Sequence, residues 1–140
     1  MNLQSSHEGN ITMSDGTSKS FAARSDGAEW VKGLRPYFVY RDLGMKTATE
    51  GRVMAHVIRA AQSCDGPMGY HSHELEFQMN YLLKGWARID LEDVGEIEVT
   101  AGDAWYQAPG VKHELMEFSD DFEVIEITIP GDFPTIDETR

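Results

Sequence analysis

This chain has a single cysteine, Cys64, few basic residues and no long apolar run. One thiol cannot form an intramolecular disulfide framework, so a packed core has to hold the fold. No apolar stretch approaches a membrane-spanning helix, and the first residues show no signal-peptide pattern; a cytoplasmic location is expected. Twelve Lys and Arg stand against twenty-four Asp and Glu, a net charge of −12 spread along the chain. That balance excludes nucleic acid and anionic membrane surfaces as natural partners. No stretch carries the apolar period of a helix of ten or more residues.

What is present reads as short strands divided by turns. Residues 1–27, rich in Ser, Gly, Asn, Asp and Thr, are expected to form a flexible arm. His7 in that arm is read as a solvated side chain. Residues 28–140 are expected to form one domain, large enough for a real core. The aromatic run from Trp30 to Gly44 suits edge strands. Strands are also expected over 53–61, 75–83, 86–91 and 96–100. Two more, 113–118 and 122–129, flank Ser119-Asp120-Asp121, a hairpin-like turn. Trp86–Leu91 alternates most cleanly, with Ala87, Ile89 and Leu91 on one face. This organisation predicts an all-β sandwich or barrel.

The chemistry concentrates in His71-Ser72-His73, Gln78 and His113. On an extended segment the two residues of an H-x-H pair project from the same face, so one metal ion can meet both. A lone histidine is more often a core or surface residue. Three at these spacings, bracketed by Gly69, Gly85, Gly102 and Gly110, point to a metal centre instead.

The run from Gly69 to Gly85 resembles the first motif of the cupin superfamily: an H-x-H pair, an acid a few residues on, then a closing glycine. Gln78 stands where that motif has Glu. The run from Gly102 to His113 resembles the second motif, with its proline displaced by one, to Pro109. The resemblance covers roughly residues 50–130 and implies a double-stranded β-helix, the jelly-roll barrel. Carried over position by position, it implies a divalent Zn, Ni, Mn or Fe ion held by His71, His73, Gln78 and His113. It also implies a homodimer, for which Tyr37, Phe38 and Tyr40 are the candidate interface aromatics.

Gln78 alters the expected chemistry. With an amide in place of a carboxylate, a bound dication keeps a charge of about +2 rather than about +1. Metal affinity should fall and Lewis acidity should rise, with a stronger pull on enolate or carboxylate oxygens. A possible base is lost as well. Glu76 shares strand parity with Gln78 and is the candidate acid–base replacement; a slip in register would make Glu74 or Glu76 the fourth ligand. Asn80 shares the same parity, and Tyr70, Trp105, Tyr106 and Met116 are candidates to line the substrate pocket. Gln-bearing sites occur in the superfamily, for instance in cupins that open the ring of unsaturated uronates.

Two classes of function follow. One is a metal-dependent enzyme acting on a small carbonyl, enol or carboxylate substrate, as a dioxygenase or as a non-redox isomerase or lyase. The other is a small-molecule binding or sensing cupin without turnover.

Overall fold

The computed structural model describes residues 19–33 and 36–140. Most of the expected arm, His7 included, lies outside the described residues. Residues 19–30 have no regular structure, but they lie against the domain: Trp30 stacks on the Arg59 guanidinium 3.8 Å from its ring centre, and Arg41 donates to the Ala23 carbonyl.

Eleven strands follow: β1 (Val31–Lys32), β2 (Phe38–Asp42), β3 (Met54–Ala60), β4 (His71–His73), β5 (Phe77–Lys84), β6 (Trp86–Leu91), β7 (Gly95–Thr100), β8 (Ala104–Tyr106), β9 (His113–Phe118), β10 (Glu123–Ile129) and β11 (Thr135–Asp137). A single-turn helix, α1 (Met45–Ala48), is the one helix among the described residues. No described helix is long and apolar enough to cross a membrane. The strands form two antiparallel sheets, ordered β1-β2-β3-β10-β5-β8 and β11-β4-β9-β6-β7. Facing sheets of this kind bury their inward rows and leave the alternate residues outside.

Register decides what those inward rows contain. On β10, Val124 pairs with Ile58 of β3 and Leu82 of β5, while Glu126 pairs with His56 and Asn80, and Thr128 with Met54 and Gln78. Directly opposed residues share a face, so these are three successive rungs of one inner surface. The Leu82 rung belongs to the core, with Phe38, Ala87, Ile89, Leu91, Val99, Phe118, Phe122 and Val124. Leu82 is wholly buried; removing such a side chain from water contributes roughly 1.5–3 kcal/mol. The next two rungs are polar apart from Met54. The barrel thus has an apolar end and a polar end, and the polar end receives the histidines.

Three expectations need correction. The Ser119–Asp121 turn closes no hairpin: β9 and β10 lie in different sheets, and the turn carries the chain across the sandwich. The three-residue strands β8 and β11 were not expected, being too short to show a period. Of the candidate interface aromatics Tyr37, Phe38 and Tyr40, one is buried within the domain. Phe38 is in the core and both tyrosines pack against it, because β2 lies inside the six-stranded sheet.

The chain also crosses between the sheets at Gly85, between β5 and β6, and this crossing touches the one at Ser119–Asp121. Gly85 has φ +77°, and a Cβ there would sit 2.0 Å from Ser119 Oγ and 2.5 Å from Asp121 Oδ1. Gly95 has a similar φ, +97°, with nothing within 4 Å. Gly95→Ala should therefore cost only the backbone strain, about 1–2 kcal/mol. Gly85→Ala adds the clash and should cost roughly 2–4 kcal/mol. Urea unfolding of the two variants measures the difference; equal losses would show that the crossings are not packed tightly.

Candidate metal centre

The H-x-H strand β4 is three residues long and touches β9 at one register position, His71 opposite His113. That pairing brings the two sequence motifs together. The imidazole centres are 4.3 Å apart for His71 and His113, and 4.9 Å for each of the other two pairs. One nitrogen from each of the three rings lies within 4.8 Å of the others.

Hydrogen bonds set which nitrogens face inward. Nδ1 of His71 is 2.8 Å from the Gly69 carbonyl, and Nδ1 of His113 is 3.0 Å from that of Val111. A carbonyl oxygen only accepts, so both Nδ1 atoms carry the proton and both Nε2 atoms carry the lone pair. Nδ1 of His73 is held at 3.0 Å by Thr135 Oγ1 of β11. Partners of this kind orient metal-binding histidines and fix their tautomer. Burial, then the neighbouring histidines, lowers the pKa of His73 to about 4; burial lowers that of His113 to about 4 as well. These rings are neutral near pH 7, the form that binds a metal. The donor set fits a divalent transition metal.

Gln78, 2% exposed, belongs to the neighbouring rung of β5. Its Nε2 donates to Glu126 Oε2 at 2.7 Å, which leaves Oε1 as the end of the amide available to a cation. The other oxygen of Glu126 lies 2.7 Å from His56 Nε2. Burial pushes the Glu126 carboxyl up, but the hydrogen bond and charge of His56 and the bond from Gln78 outweigh it. The carboxyl is held below its usual range. A carboxylate therefore stands one hydrogen bond behind the amide that replaced the motif acid.

The remaining candidates divide. Asn80 is buried on the polar rung. Trp105, opposite Asn80 in register, turns inward, and its Nε1 donates to Gln107 Oε1 at 3.0 Å. Glu76 is exposed in the bend before β5, so it is no acid–base group of this site, and Glu74 is exposed too. Tyr106 is 54% exposed; it pairs with Met79, on the outward row of β5, and so faces away from the cavity. Tyr70 and Met116 contact Arg140 on the outside of the other sheet, the Tyr70 ring centre 4.4 Å from the guanidinium carbon. Met116 is displaced by the irregularity in the β6–β9 register.

Four residues escaped the sequence: Glu126, His56, Gln107 and Thr135. Glu126 did leave a trace, as a charge at an inward position of the alternating run Val124-Ile125-Glu126-Ile127-Thr128. Thr135 and Gln107 left none, because their partners come from distant strands.

No protein-family model matches the sequence, and no curated protein matches it. Solved structures do. KdgF from Halomonas sp. superposes with a TM-score of 0.64 at 22% identity, over 79% of this chain and 94% of that one. The polyketide cyclase RemF from Streptomyces resistomycificus gives 0.68 at 17%, over 87% of each chain. A variant of Bacillus subtilis oxalate decarboxylase gives 0.63 at 17%, over 84% of this chain but 32% of that one. The present chain thus spans about a third of the decarboxylase. At identities this low the likeness is one of fold. With its two sheets and three-histidine cluster, the chain has the cupin fold.

The lowered histidine pKa values make a prediction for the metal-free protein. Between pH 6.5 and about 4 the unfolded chain binds protons at His73 and His113 that the folded chain refuses. Stability should therefore be at its full value above 6.5 and decline as the pH falls through that window. Urea midpoints from pH 7.5 to 4 check this, and His73→Gln with His113→Gln should flatten the decline. An equal slope in the double variant would place its origin elsewhere.

Proposed function

We propose that this cupin-fold protein is a metal-dependent enzyme acting on a small oxygen-rich substrate by non-redox proton transfer, of the isomerase or lyase kind. One observation carries the reading: three mutually facing imidazoles, that of His113 buried and the other two half-buried, and a buried amide, with the Glu126 carboxylate one hydrogen bond beyond. His71, His73, His113 and Gln78 Oε1 would hold the ion. When bound, a divalent metal supplies Lewis acidity towards a carbonyl, enol or carboxylate oxygen.

The chain's own residues do the rest. Gln78 adds no charge to the ligand set, which favours polarising an anionic oxygen over supporting a higher oxidation state. Glu126 fixes the orientation of Gln78 by taking its N–H, and it is the buried carboxylate placed to accept a proton from substrate. His56 keeps that carboxylate ionised and in position. Among the structural neighbours, a polyketide cyclase and oxalate decarboxylases handle oxygenated carbon compounds, and the Bacillus subtilis decarboxylase has Mn(II) centres.

Elemental analysis of protein purified without a tag or added metal is the direct test. Near-stoichiometric Zn, Ni, Mn or Fe is expected, and it should be absent from His71→Ala with His73→Ala while the fold persists. Unchanged metal content in that variant would sink the site. The metal-loaded protein should then turn over keto acids, enols or unsaturated uronates without consuming oxygen. Oxygen uptake with catechols, diketones or flavonols would move the reading to a dioxygenase, and metal without any turnover would leave a binding barrel.

Gln78→Glu separates the two roles of this position. It sets two carboxylates where a 2.7 Å hydrogen bond now runs, so the metal-free variant should melt below the parent. A dication relieves that repulsion, so added metal should raise the melting temperature of the variant more than that of the parent. A smaller rise would remove position 78 from the ligand set.

A further inference from the structure

We infer that Gln107 is a substrate-binding residue, whose side-chain N–H donates to an oxygen of a small carboxylate or enolate seated beside the three histidines. The inference rests on the metal-dependent reading above.

Gln107 precedes the second motif's proline and is 7% exposed. Its backbone N–H donates to the Gln78 carbonyl at 3.1 Å, which ties it to the strand carrying the first motif. The direction of its amide is determined by its neighbours. The indole N–H of Trp105 can only donate, and it points at Gln107 Oε1; Asn80 Nδ2 approaches the same oxygen at 3.5 Å. Gln107 Nε2 therefore faces the other way, towards His113 Nε2 at 3.1 Å. His113 in turn gives its Nδ1 proton to Val111. The result is a one-way chain of donors from Trp105 through Gln107 to His113, ending on the lone pair that a metal needs.

That arrangement has a consequence for the loaded site. Once the His113 lone pair is committed to a metal, the Gln107 N–H loses its acceptor while remaining buried. A buried donor without a partner costs about as much as a hydrogen bond is worth, so another acceptor is required. The amide cannot turn over without stranding the indole N–H. Glu126 is held by His56 and Gln78 and makes no hydrogen bond with Gln107. An oxygen of the ligand beside the histidines is the acceptor left, and an anionic one gives the stronger bond. Trp105 is then a positioning residue, acting through the amide it holds.

The test uses the full chain loaded with Co(II), whose visible absorption reports added ligands, and sodium acetate as the anion probe. Gln107→Met keeps the size of the side chain and removes the N–H. Its acetate dissociation constant should rise about tenfold or more, while its Co(II) affinity should stay equal to the parent's or become tighter, because the cap on His113 is gone. Trp105→Phe should shift acetate binding in the same direction by a smaller factor, with Co(II) retained. It decides the matter alone if Gln107→Met does not fold. Unchanged acetate affinity in the variants, or a parallel loss of Co(II) and acetate, would overturn the inference and leave the metal site standing. Failure of the parent itself to bind Co(II) would instead remove the metal reading.

Discussion

The register of β10 between β3 and β5 is the constraint on which the site depends. Its inward residues are Val124, Glu126 and Thr128; the first two meet partners of matching character on both sides, and Thr128 meets Gln78 on one side and Met54 on the other. A slip of one residue would turn Ile125 and Ile127 inward and expel Glu126, because side chains alternate with period two. The apolar rung resists such a slip, since it would lose the burial of Leu82 and Val124 against the aromatic cluster. Core packing at one end of the barrel thus holds the polar chemistry at the other.

The electrostatics follow from that register. Replacing a ligand carboxylate by Gln78 would leave a dication among neutral donors, with the nearest negative charge lost. The fold restores the charge one bond further out, on Glu126, and places His56 behind it. A charge behind an amide tunes a cation more gently than a charge bonded to it, while the carboxylate stays free of the metal. Two of the three imidazoles that would complete the ligand set, those of His73 and His113, are kept neutral largely by burial.

The H-x-H strand needs support because it is so short. Its three residues pair along their whole length with β11, whereas β9 meets it at one position. Ser72, on the outward face, donates to Glu138, and Arg140 joins Asp90 and Glu114. Glu114 then accepts the Gly69 N–H just before the strand. The C-terminal segment therefore clamps the two strands that carry the histidines, and it supplies Thr135 to the His73 ring.

Much of this was legible in the residues alone. The alternation of Trp86–Leu91 coincides with β6, and 113–118 with β9, because period-two burial is a local property. The histidine spacing and its glycines identified the cupin barrel and the three rings that meet in it. Other features depend on partners far apart in sequence. Glu76 had the right parity but lies in a bend outside the strand, while Glu126 comes from a strand 48 residues beyond its Gln78 partner. The outward turn of Tyr106, the core position of Phe38 and the orientation of Gln107 were likewise settled only by strand pairing. The sequence by itself determined which faces could be buried and which side chains could bind a metal. Which carboxylate, amide and hydroxyl stand behind them was decided by the tertiary structure, since local periodicity carries no information about cross-strand register.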